Sequence, residues 1–188
     1  AGEPRVTTPA PLVHGQPMSA GAIARLNACD RQSFVALLGP VFEHAPHVAE
    51  SAFAQRPFAN AGQLHDAMIQ VVKGWPKEQR IAFICGHPEL AGKEAAASTL
   101  TRESESEQSG AGLKSLSRPE VEEIGALNQA YRARHGFPFV ICVRHYTKTG
   151  IFAEFKRRTA RSTDVELDEA LAQIGFITRL RLADLLRD

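Results

Sequence analysis

Apolar positions recur at helical spacing along most of the chain, and Gly, Pro and capping residues punctuate them. Asp30 stands before a segment carrying Phe34, Leu37 and Leu38, which Gly39 and Pro40 close, so a first helix is expected there. Pro46 can open a second that ends before Pro57. Asn60 precedes Leu64, Met68, Val71 and Val72 on one face, with Gly74 beyond them. Pro76 can start a fourth helix through Ile81 to Cys85, and residues 99–110 read as a fifth. Ser117, Pro119 and Glu120 have capping-box spacing ahead of Val121, Ile124, Leu127 and Tyr131, with Gly136 as the stop. Residues 150–160 and a segment opening at Thr163–Glu166 and running nearly to the C-terminus complete the set.

The exception is FPFVICV at 137–143, an unbroken apolar run after a glycine that reads as a buried strand or a buried extended segment. No second run of that quality exists to pair with it. The expectation is therefore an all-α domain over residues 18–188, of about eight helices, with this extended segment threading the core. Residues 1–17 hold four prolines and no apolar period, which predicts a flexible arm or linker in which His14 has no role.

Composition changes this picture little. A chain of 188 residues, 44% hydrophobic and 23% charged, suits one soluble globular core. A net charge of +1 argues against a nucleic-acid face. No apolar run approaches the ~18 residues of a membrane span, and no signal-peptide pattern opens the chain. Three cysteines are too few and too scattered for a disulfide framework. Cys85 and Cys142 lie in the apolar runs IAFIC and FVICV and are expected to be buried free thiols, in keeping with a reducing cytoplasm.

The candidate chemistry sits in two polar stretches, GHPELAGK at 86–93 and TRESESEQSGAGL at 101–113. Pro88 pushes His87 out of the helical region, and a helix beginning at Pro88 would put the imidazole at its entrance. At about 100° per residue, Leu100, Ser104, Glu107 and Ala111 share one face, so Glu107 is the acid turned inward. The same acidic run also fits a solvated surface helix. In the last helix Arg181 lies on a stripe with Leu167, Leu171, Ile174 and Thr178, while Arg158 shares a face with Ile151 and Phe155. A buried arginine needs a carboxylate, a carbonyl or an anionic ligand. HPE lacks the second histidine of a zinc helix, and no C-x-x-C, Walker A, G-x-G-x-x-G or G-x-S-x-G motif occurs. A His–carboxylate pair without metal or cofactor signatures suggests proton transfer.

Taken together, FVALLGPVFEHAPHVAE (34–50), RPF (56–58), GHPELAGK, SESEQSGAGL (104–113), LNQAYRARHGFPFVICV (127–143) and RLRLADLL resemble the 2-oxo-4-hydroxy-4-carboxy-5-ureidoimidazoline (OHCU) decarboxylases of urate breakdown. The resemblance runs from about residue 20 to the C-terminus, in the family's order. His47 stands where that family usually has tryptophan, and Arg161 where a small polar residue is common. The resemblance implies a cofactor-free, metal-free, all-helical decarboxylase that yields (S)-allantoin and CO2, acts on a small molecule and forms a homodimer. His87 would match the family's proton-transfer histidine and Glu107 its glutamate, orienting His87 or the substrate's ureido N–H groups. Substrate contacts would come from Pro88, from residues 104–108 including Ser104 and Gln108, and from backbone at Phe139, Val140, Ile141, Cys142 and Val143. Arg158 and Arg181 are the candidates for the substrate carboxylate. Two readings from other classes remain open beside it: a non-catalytic helical binding module, and a His/Glu hydrolase of a related ureide.

Overall fold

Residues 20–187 are described by the structure, a computed structural model. The expected arm at 1–17 lies outside the described residues. Ten α-helices follow one another: α1 (Ala20–Ala28), α2 (Arg31–Leu38), α3 (Pro46–Phe53), α4 (Ala61–Lys73), α5 (Lys77–Cys85), α6 (Lys93–Ala96), α7 (Arg102–Gly110), α8 (Arg118–His135), α9 (Lys148–Thr159) and α10 (Thr163–Leu185). No strand occurs among the described residues.

The helix ends follow the capping chemistry of the sequence. Asp30, Asn60, Thr101, Ser117, Thr147 and Ser162 each accept a backbone N–H of the first turn of the helix they precede. Ser117 and Glu120 complete the capping box, and Gly136 ends α8 at φ 79°, a left-handed conformation that favours glycine. Two helices lack such signals and were not expected. The α1 segment carries only Ile23 and Leu26 as large apolar residues, and α6 is a single turn. The C-terminal carbonyls of α1 and its exit are held by Arg56 of the RPF motif, which donates to Leu26, Asn27 and Cys29 oxygens while lying over the Phe53 ring.

Helix α3 packs on both α2 and α4, α8 packs on α9, and α10 runs between the two groups, touching α4, α5 and α8. Their buried faces make one core, from Phe34, Leu38 and Met68 at one side to Tyr131, Phe139 and Phe155 at the other. The segment 137–142 is extended and irregular, as expected, and it passes through this core.

Three expectations are corrected. No helix begins at Pro88: α5 ends at Cys85, and residues 87–92 form a turn before α6. Side chains tie this turn in a non-helical path, with Ala91 N–H donating to Gln108 Oε1 (2.9 Å) and Asn128 Nδ2 donating to the Leu90 carbonyl (2.9 Å). Ala91 takes φ 46°, and a Cβ on the next residue, Gly92, would fall 2.6 Å from Glu89 Cβ, so the turn needs glycine there. Cys85 is exposed rather than buried, because the neighbouring Phe83 and Ile84 take the core-facing side of α5. Arg158, a candidate for the substrate, is wholly enclosed behind the extended segment.

Candidate active site

The turn after α5, the inward face of α7, the extended segment and α10 converge on a small cavity of about 40 Å³. Of the residues expected at the site, His87, Pro88, Ser104, Glu107, Gln108, Phe139, Val140, Ile141, Cys142, Val143 and Arg181 line it. Arg158 does not.

His87 follows the C-terminus of α5, where its own N–H bonds to the Ile84 carbonyl. Its ring packs edge-on against Phe83, and Nδ1 faces the Phe83 carbonyl at 3.4 Å. A carbonyl only accepts, so this contact places the ring proton on Nδ1 and leaves Nε2 as the basic nitrogen. Burial pushes His87 down to about 4; nearby Glu43 pulls it up and Arg181 pushes it further down. The imidazole is therefore neutral at physiological pH, a base rather than a charged acid.

Glu107 does not pair with His87. It forms an ion pair with Arg181, whose Nη2 lies 2.6 Å from Glu107 Oε1 and whose Nε is within 3.2 Å of both carboxylate oxygens. Arg181 also donates to the Val41 carbonyl (3.4 Å) and to Glu43 Oε2 (2.9 Å). Burial disfavours this cation, but Glu107 and Glu43 hold it above its ordinary value. The partner of the buried arginine is thus a pair of carboxylates, one of them not anticipated.

That second carboxylate, Glu43, follows the 3₁₀ turn after α2, between buried Phe42 and exposed His44. Its side chain is 1% exposed and accepts from Thr101 Oγ1 (2.7 Å) and Ser104 Oγ (2.9 Å) as well as from Arg181. Burial alone would raise its carboxyl, yet Arg181 and Thr101 together keep it below the usual carboxylate value. A charged residue among the apolar positions of GPVFEHA was the available signal. Other walls missed at the sequence level are Leu90, Arg144 and Ile177. Arg144 is bound to Asp184 at 2.6 Å.

Several expected contact residues spend their polar groups on the scaffold. The Ser104 hydroxyl donates to Glu43 and faces Arg181 Nη2 at 3.3 Å. Gln108 uses its amide on the turn that carries His87, through Ala91 N–H and, at 3.4 Å, the Glu89 carbonyl. The extended segment is pinned from behind: Arg158 Nη1 donates to the Val140 carbonyl (2.8 Å), and Cys142 N–H donates to Gln173 Oε1 (2.9 Å). Arg158 itself is fixed by Glu166 (2.9 Å), which also accepts the Tyr131 hydroxyl (2.7 Å) and pairs with Arg161 (3.4 Å). Val140 and Ile141 line the cavity, and among the described residues their N–H groups and the Ile141 carbonyl have no hydrogen bond to protein. Burial pushes the Cys142 thiol up to about 11, with Glu107 adding to the shift, so it is no nucleophile at neutral pH.

Among the described residues no group of three His, Cys, Asp or Glu side chains could hold a metal ion, and no helix is long and apolar enough to cross a membrane. A helical domain that brings a neutral imidazole, a bound carboxylate and an extended backbone segment to one small cavity is of the class of acid–base enzymes for small polar molecules. The sequence model of OHCU decarboxylase matches residues 27–183. The 2-oxo-4-hydroxy-4-carboxy-5-ureidoimidazoline decarboxylase of Haloferax volcanii is 37% identical over 162 residues, 86% of this chain and 94% of that protein. The uric acid degradation bifunctional protein PucL of Bacillus subtilis is 37% identical over 87% of this chain and 32% of its own length. A crystal structure of (S)-allantoin synthase superposes with a TM-score of 0.69 at 27% identity, over 87% of this chain and 53% of that one. The chain belongs to the OHCU decarboxylase family.

Proposed function

We propose that the protein decarboxylates OHCU to (S)-allantoin and CO2 in the breakdown of urate. The reading is supported by the names of its relatives and carried by one observation: a neutral His87, its Nδ1 turned to the Phe83 carbonyl, shares the cavity with Glu107 and with residues 140 and 141 of the extended segment. The ring carbon bearing the carboxylate also bears a hydroxyl and adjoins a C=N bond. When the bond to the carboxylate breaks, its electron pair moves into the C=N group, whose nitrogen takes a proton from solvent. The result is an enol. His87 Nε2 removes the enol O–H proton as the carbonyl forms, and a proton returns from His87 to the neighbouring carbon on one face. One proton is consumed and CO2 leaves. Glu107, an acceptor only, receives the ureido N–H groups, and the amide edge of residues 140–141 reads the ring. Burial around Phe139 and Ile177 removes water from the leaving carboxylate.

The assembly is proposed to be a homodimer, for which exposed Val165 and Phe176, on one face of α10, are the apolar candidates; sedimentation decides it. Free thiols at Cys29, Cys85 and Cys142 support a cytoplasmic setting.

The test is chiral chromatography of allantoin formed from fresh OHCU. Wild type should accelerate CO2 release and give one enantiomer, and His87→Asn should lose roughly 10²-fold or more in kcat with the fold retained. Racemic product at the spontaneous rate from wild type refutes the decarboxylase reading. Wild-type turnover by folded His87→Asn refutes the role of the histidine.

A further inference from the structure

The cations that line the cavity are already matched. Arg144 is bound to Asp184, and Arg181 is bound to Glu107 and Glu43. Two carboxylates thus share one guanidinium, and with a neutral His87 this cluster carries one net negative charge. Glu43 itself does not line the cavity. It is held behind it by three hydrogen bonds, from Thr101, Ser104 and Arg181. An arginine facing a single carboxylate would leave the site neutral. The buried second carboxylate prevents that by leaving the cluster negative.

We propose that Glu43 is a positioning residue that sets specificity: by engaging Arg181 from behind, it withholds a carboxylate receptor from the cavity, so that a bound ring presents N–H groups to Glu107 while its own carboxylate meets no cation. This rests on the decarboxylase reading. An ion pair to the substrate carboxylate would stabilise the ground state and vanish as CO2 forms, which raises the barrier. A carboxylate left unpaired against Phe139, Leu90 and Ile177 gains nothing by staying ionised, and its loss relieves the repulsion from the Glu43–Glu107 pair.

Two unreactive rings that differ in charge test this, hydantoin and hydantoin-5-acetate, with affinities from isothermal titration calorimetry. Wild type should bind the neutral ring more tightly. Glu43→Gln removes one negative charge near the cavity and should shift the ratio of affinities about tenfold or more toward the anion. Its kcat on OHCU should fall while KM does not rise. Glu43→Asp, which keeps the charge, should keep the wild-type ratio. The double variant Glu43→Gln/Arg181→Met restores the net negative charge without an orphaned cation, and should return to preferring the neutral ring. A merely structural role for Glu43 would weaken both rings alike. The proposal is overturned if wild type prefers the anion, if wild type binds neither ring, or if folded Glu43→Gln keeps the wild-type ratio. Should Glu43→Gln not fold, the wild-type ratio and the double variant carry the test. None of these binding outcomes depends on turnover, so a failure of the decarboxylase reading is seen separately, as wild type inert toward OHCU.

Discussion

Acid should begin to destabilise this protein above the range in which carboxylates titrate, because two histidines are buried without charge. His87 is held down to about 4 by burial, against Glu43 and with Arg181. His65, on α4, is likewise held to about 4 by burial and by Arg179, partly opposed by Asp66, while its Nε2 lies 2.9 Å from Thr178 Oγ1 on α10. In the unfolded chain both titrate near 6.5. A folded pKa below the unfolded one means that the unfolded chain binds more protons between about pH 6.5 and pH 4. Stability is then complete above that window and falls as pH drops through it. The His65 shift alone corresponds to roughly 3 kcal/mol at about 1.4 kcal/mol per pH unit, and His87 adds loss in the same direction. That is a large share of the stability of many domains, about 5–15 kcal/mol. Glu43, held below its ordinary value, adds further loss at lower pH, in the same direction. The assay is urea unfolding followed by circular dichroism from about pH 8 to about pH 4.5. His65→Gln keeps a partner for Thr178 but cannot titrate, and should roughly halve the slope of stability against pH. A wild-type stability that stays flat down to about pH 5, or a slope unchanged in His65→Gln, refutes the reasoning.

Glu107→Gln replaces acceptor oxygens by a mixed amide beside Arg181 and should cost about as much activity as Glu107→Ala, since a donor facing donors leaves both unpaired; normal turnover by the Gln variant alone would show that Glu107 only fills space. Arg158→Met leaves Glu166 buried with a weaker set of partners and should destabilise the fold by about 3–5 kcal/mol in thermal or urea unfolding, whereas Arg158→Met/Glu166→Leu should recover most of that loss. Because His87 is neutral down to about 4, kcat/KM should show no acid limb near pH 6.5, and a limb there would mean that the imidazole is charged in the free enzyme.

Much of this architecture was written in local chemistry. The caps at Asp30, Asn60 and Ser117 act within three residues of themselves, so the sequence alone reveals them. The extended character of 137–142 followed from the lack of any partner run. The site was legible as far as helical phase could carry it: Glu107 and Arg181 do turn inward and meet, across 74 positions of chain. What helical phase cannot give is who meets whom. The partners expected for Glu107 were His87 or the substrate's ureido N–H groups, and the protein partner found is Arg181. Glu43 comes from 61 residues before Ser104, in a turn whose phase carries no information. Arg158 shows the converse limit: its inward face was read correctly, but inward there means toward Glu166 rather than toward the cavity. The turn at 87–92 escaped because Gln108 and Asn128, far along the chain, override the helix-starting preference of Pro88.

On the function proposed above, the cavity wall at 139–142 meets its ligand through peptide groups, and peptide groups are the same whatever side chains the positions carry. Mutational tolerance should therefore run opposite to proximity. In a library of single substitutions scored for activity, Val140 and Ile141 should accept other apolar residues of similar volume. Arg158 and Gln173, which stand outside the cavity but aim the Val140 carbonyl and the Cys142 N–H away from it, should accept almost nothing.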